Sequence, residues 1–173
     1  GKILTYAPPG VGSPHHLTGE FFAKEAGIGM THVPYKGIAN GIADLLGGHV
    51  DLAISTVSSF VPLLAENRVR ILAVTTASRY DALPDVPSIA ETFPGFEADA
   101  WFGAMVPAGT PQEAVDKLGA AIAHALKDEA VQKVLQDAAL VPVGKDSAAL
   151  ADLIEKDYQH WGAIVRESGI TPE

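Results

Sequence analysis

The chain has 173 residues, 47% of them hydrophobic, a formal net charge of -9 at pH 7 and no cysteine. That length and apolar content suit one ordinary domain or two small lobes with a real core. Acidic charge without any basic cluster opposes nucleic acid or an anionic membrane as partner, no apolar run is long enough to insert in a bilayer, and the lack of cysteine excludes disulfides, thiolate zinc sites and cysteine nucleophiles.

In chain order, short β-rich runs alternate with helical patterns, the sequence form of repeated βα units and a largely parallel sheet. Strands are expected at residues 2–6, 31–34, 50–54 and 70–75. Helices are expected at residues 15–26, 38–46 and 60–67. Gly27 and the pair Gly47, Gly48 stand where left-handed helix stops belong. Residues 80–95 contain Pro84, Pro87 and Pro94 and read as an ordered loop. Residues 101–106 read as one more strand. Thr110, Pro111 and Glu113 then supply an N-cap, a first-turn proline and a capping-box acid. The final helix, after Asp146 and Ser147, spaces Leu150, Leu153, Ile154, Trp161, Ile164 and Val165 as one apolar stripe that needs a partner surface. The natural boundary lies near residues 101–109. The first residue is Gly rather than Met, which fits a processed protein or an excised piece from which an export signal is gone.

The most informative segment is Tyr6 through His16, a strand entering a helix through a turn with Gly10, Val11, Gly12 and Ser13. Glycines admit a ligand close to the backbone, Ser13 can cap the helix, and free first-turn amides carry partial positive charge, so a carboxylate can be held without arginine. An ordinary capped βα turn gives the same pattern. Ser55, Thr56 and Ser58 follow the strand at 50–54 and precede a helix; they either face the same crevice or merely cap. Tyr35, Lys36 and Gly37 form a third loop at that edge, with Lys36 either attracting an anion or simply solvated. His15, His16 and Glu20 invite an enzyme or metal reading. No third ligand at a compelling spacing and no Gly-x-Ser-x-Gly elbow supports it, so neither catalysis, a metal nor a cofactor is expected. Trp101 lines the crevice or belongs to the core, and the flanking Glu97 and Asp99 read as a solvated strand edge.

An ordered series through the whole chain resembles one known family. It runs through Leu4, Thr5, Tyr6, Gly10, Gly12, Ser13, His16, Leu17, Gly19 and Glu20, then His32, Val33, Pro34, Tyr35, Lys36 and Gly37. Asp44, Leu45, Leu46, Gly47, Gly48, Val50 and Asp51 continue it, followed by residues 72–76, 83–87, 94–96 and Trp101, Gly103 and residues 107–111. It is similar to the tripartite tricarboxylate transporter receptors, the Bug-type extracytoplasmic solute-binding proteins. The resemblance implies a type II periplasmic-binding α/β fold, a parallel-dominated sheet with flanking helices followed by a C-terminal helical return segment. It further implies a periplasmic receptor that traps a small organic carboxylate between two lobes, without turnover, and delivers it to the membrane components of a tripartite carboxylate transporter. By that likeness residues 1–103 are the second, ligand-binding lobe. Residues 104–173 would return to pack on a first lobe, of which the N-terminal part is missing here; self-association would then cover the stripe around Trp161. Ser55 stands where the family often has an acid, which points away from an amino acid and toward a simple carboxylate. Pro8 and His15 also depart from the usual small residues, so the loop's shape is expected to differ from its relatives. A competing reading is the effector-sensing domain of a transcription regulator of the same fold.

Overall fold

The structure is a computed structural model that describes residues 2–168, the side chain of Ser168 excepted. Gly1 and residues 169–173, the outer ends of the two expected segments, lie outside the described residues. The chain forms two compact units, one from the chain up to Ala100 together with the stretch from Ala163 onward, the other from Trp101 to Gly162.

The first unit is built on three parallel strands, β1 (Leu4–Ala7), β2 (Met30–His32) and β3 (Leu52–Ala53), in the order β2-β1-β3. Tyr6 stands opposite His32 on one side and Leu52 on the other. Tyr6 and Ala7 are both 0% exposed, as expected of a central parallel strand covered on both faces. The helices α1 (Pro14–Ala26) and α2 (Ile38–Leu46) make the crossovers from β1 to β2 and from β2 to β3. Right-handed connections running in opposite directions along the sheet put them on opposite faces.

Local chemistry sets the helix ends. Ser13 caps α1 through a hydrogen bond from the His16 amide, and Gly27, at φ 62°, ends it by donating to Ala23 and Lys24 carbonyls. α2 ends differently: Gly47 stays right-handed and Gly48, at φ 73°, takes the left-handed position. α3 (Val61–Ala65) is a short helix after a 3-10 turn at Val57–Ser59, and Asn67 (φ 54°) takes the left-handed conformation beyond its end.

The expected strand at 70–75 does not form. Val74 makes a single parallel bridge to Ser88, with Val74 N donating to Pro87 O at 2.9 Å and Ile89 N to Val74 O at 3.0 Å. The next rung would require an amide from Pro87, which has none, and beyond Ser88 the chain turns into a 3-10 helix at Ile89–Glu91. The loop at 80–95 is ordered by its polar groups. Ser88 and Glu91 form a complete capping box, and Arg79 holds Glu91 with two hydrogen bonds of 2.8 Å while donating a third, 2.9 Å, to Pro84 O. This segment packs on α1 through Phe96, whose ring stacks on Phe21 with centroids 4.5 Å apart and stands edge-on to Phe22.

The second unit contains α4 (Gln112–Ala125), α5 (Glu129–Asp137) and most of α6 (Ser147–Ser168). Residues 101–106 are not a strand; among the described residues nothing pairs with them, and Phe102 is 82% exposed. Nor does Thr110 cap α4. Its hydroxyl donates to Pro107 O at 2.8 Å, closing the preceding turn, so Pro111 stands at the cap position without any side-chain bond and the box with Glu113 is not made. Asp128 caps α5, and Asp146 performs that role for α6. Along the α6 stripe only Ile164 is buried, and Leu153 and Ile154 remain exposed.

Candidate functional site

Because all three strands are parallel, their carboxyl ends deliver the loops 8–13, 33–37 and 54–59 to one edge. A sheet ordered 2-1-3 is the arrangement in which doubly wound folds open a crevice between the loops after β1 and β3. Backbone bonds hold the loops together there: Gly37 N donates to Pro9 O at 2.8 Å, and Ile54 N to Ala7 O at 3.2 Å.

The loop after β1 divides its amides into two sets. Gly12, at φ 71°, donates to the ring Nδ1 of His16 at 3.0 Å, Ser13 N to Gly10 O at 3.3 Å, and His16 N to Ser13 Oγ at 3.2 Å. The amides of Gly10, Val11 and His15 meet no protein acceptor among the described residues. Those three are the donors available to a ligand, at the positive end of a thirteen-residue helix.

His16 stands behind this loop, not on its surface. Its side chain is 1% exposed, and its two ring nitrogens face Gly12 N and His32 Nδ1, each at 3.0 Å. Both ring nitrogens are therefore engaged within the protein. Tyr6 closes the cluster from β1, its hydroxyl facing Glu20 Oε1 at 2.8 Å and His16 O at 3.2 Å. Burial, then the Glu20 hydrogen bond and charge, push the Tyr6 hydroxyl far above the usual phenol range. Burial, followed by neighbouring His32, lowers the His16 pKa against the upward pull of Glu20. Burial lowers that of His15 also.

His16, Glu20 and His32 bring one ligand-type atom each within 4.8 Å of one another. Sequence spacing missed His32, because it joins the other two only through strand pairing, opposite Tyr6. The hydrogen-bond pattern argues against metal binding. An Nδ1 that accepts from Gly12 leaves the proton of a neutral imidazole on Nε2, the atom a metal would need unprotonated. Ser13 and His16 do not form a nucleophile and base pair, since Ser13 Oγ meets the backbone amide of His16 and not its ring.

In the loop after β3, Thr56 Oγ1 lies 3.0 Å from Ser59 Oγ and accepts from Ser58 at 3.2 Å, so these hydroxyls brace one another; Ser55 is half-buried beside them. In the remaining loop the Tyr35 hydroxyl is engaged, 2.6 Å from Asp44 Oδ2, and this bond pushes its pKa up to about 12. Lys36 is exposed and Gly37, at φ 98°, begins α2. Trp101 belongs to the second unit, where its ring N–H donates to Asp157 at 2.5 Å. Gly10, Val11, Gly12 and Ser13 thus share one loop, with His16 behind it in α1 and with Tyr35, Lys36, Gly37, Ser55, Thr56 and Ser58 in the two loops beside it. No helix among the described residues is long and apolar enough to cross a membrane.

The family model described as tripartite tricarboxylate transporter family receptor matches residues 1–170. A protein from the tcbD-tcbE intergenic region of a Pseudomonas species is 36% identical over 166 residues, covering 95% of this chain and 49% of its own length. A solved R. palustris protein with adipate superposes with a TM-score of 0.84 at 35% identity, covering 98% of this chain and 57% of that one. MatC from Rhodopseudomonas palustris, solved with bound malate, gives 0.76 at 30% identity over 94% of this chain and 56% of its own. The chain thus spans about half the length of these relatives.

Proposed function

The chain belongs to the tripartite tricarboxylate transporter receptor family, and from that premise we propose that it forms the carboxylate-capturing part of a periplasmic receptor. Its guest is a small organic acid, held at the edge where β1 and β3 end. The whole receptor then hands that acid to the membrane components of a tripartite carboxylate transporter. One observation supports the reading: among the described residues the amides of Gly10, Val11 and His15 have no protein acceptor, at the head of a long helix and at the sheet edge that also carries the Ser55 to Ser59 loop. Such a site recognises negative charge by dipoles alone. Relatives solved with adipate and with malate support a dicarboxylate or hydroxy-acid guest. Serine at position 55 supports one without an ammonium group, since no acid stands there to pair with it.

Thermal melting of the receptor as encoded in full, across a panel of mono-, di- and tricarboxylates, tests the proposal. A true guest stabilises the fold by RT ln(1 + [L]/Kd), about 2.7 kcal/mol at a hundredfold excess over Kd. A panel in which no acid raises the melting temperature would overturn it.

A further inference from the structure

We propose that His16, backed by His32, is a positioning residue whose neutral imidazole holds the Gly12 amide and thereby sets the loop for carboxylate capture, so that acidification releases the loop. The inference rests on the proposed capture site and adds how its shape is controlled.

The hydrogen bonds determine where every proton sits. Gly12 N–H points at Nδ1 of His16 at 3.0 Å, so that nitrogen carries the lone pair and Nε2 carries the hydrogen. Nε2 lies 3.0 Å from His32 Nδ1, which must then accept. Glu20, 3.7 Å from the same Nε2, is too distant for a hydrogen bond and instead accepts from Tyr6. A second proton on His16 can go only to Nδ1, where it meets the Gly12 N–H head-on. If His32 takes the proton and donates back to His16, the His16 hydrogen must shift to Nδ1 and the same bond is lost. The Gly12 amide is kept only while the pair is neutral.

The surroundings make that neutral state the resting one. His16 faces Tyr6 from β1, His32 from β2, and Glu20 from its own helix, where His15 adjoins it in sequence only; among the described residues no lysine or arginine is paired with it. The ring is buried, and burial together with His32 outweighs the opposite pull of Glu20, so the folded protein titrates it below the ordinary 6.5. A group whose pKa is lower folded than unfolded contributes stability above about pH 6.5, lost progressively as pH falls through the folded value. The loop itself depends on the bond, because Gly12 sits at φ 71° with open space around its Cα and no side chain to fix it.

The test pairs a ligand-free readout with a binding one. In ¹⁵N spectra of the full receptor, His16 should be the Nε2–H tautomer at pH 7.5, and the Gly12 amide resonance should move with the His16 titration. Binding of adipate, the probe, should weaken by about tenfold per pH unit below the His16 pKa. His16→Asn, whose Oδ1 can accept from Gly12 without titrating, should bind and lose that extra slope, while His16→Leu should weaken adipate at pH 7.5. Comparing wild type with His16→Asn cancels the ionisation of adipate itself. Equal slopes in the two proteins, or a Gly12 resonance indifferent to His16 in the wild type should the variants not fold, would overturn the inference. A Gly12 resonance that follows His16 in a receptor that no acid stabilises at any pH would sink the capture site and leave the loop lock standing.

Discussion

Gly19 shows how closely the central strand is fitted. A methyl group there would lie 2.4 Å from Tyr6 Cε2 and 2.8 Å from its hydroxyl. Tyr6 cannot yield, being 0% exposed and hydrogen-bonded to Glu20 and the His16 carbonyl. Gly19→Ala should therefore destabilise the protein by about 1–3 kcal/mol despite the better helix propensity of alanine. Urea unfolding measures it, and a neutral result would mean that the ring moves freely. Asp51 gives a pH prediction. Its carboxylate accepts from Lys2 and from both the amide and hydroxyl of Thr5, and the Lys2 bond, then those of Thr5, lower its pKa from 3.8 to about 2. The native state thus binds fewer protons than the unfolded one between those values, and stability falls as pH drops through that window. Asp51→Asn should flatten this acid limb of the stability profile. Sequence reading foresaw Ser13 as a cap, because capping is a local bond. It could not see that His16 turns both ring nitrogens inward, since the second partner, His32, arrives from a strand sixteen residues away.

Among elements, the parallel order and three strand-to-helix units were legible from alternating patterns and glycine stops, which depend on neighbours in sequence. The strands expected at 70–75 and 101–106 were not to be had from composition: β-rich residues make a strand only when a second backbone meets them. Pro87 denies Val74 a second rung, and nothing pairs with Phe102 among the described residues. Arg79, in which sequence reading saw no role, organises the 80–95 segment. Arg79→Ala should speed hydrogen exchange at the Ser88 and Ala90 amides while leaving β1 protected. Unchanged exchange at both would show that the capping box holds without its clamp.

For the whole molecule, the apolar side chains left outside are the main feature of the second unit. Phe102, Met105, Val134, Val141 and Val143 are each more than 60% exposed, far more than scattered surface residues require. The isolated 173-residue chain should accordingly bind a hydrophobic dye and gain mass with concentration in light-scattering chromatography. Replacing Phe102 by Ser and Met105 by Lys should reduce both. A mass that stays monomeric at high concentration would sink that expectation.

The central position of β1 also governs when the loop edge is complete. Its loop precedes the other two in the chain, yet Thr5 meets Asp51 only across 46 residues. Bridging so long a stretch is an entropic hurdle that slows assembly. The edge where the loops after β1 and β3 meet is complete only once β3 has docked, so a guest held there, as proposed, would meet a finished sheet and would not act as a template for it.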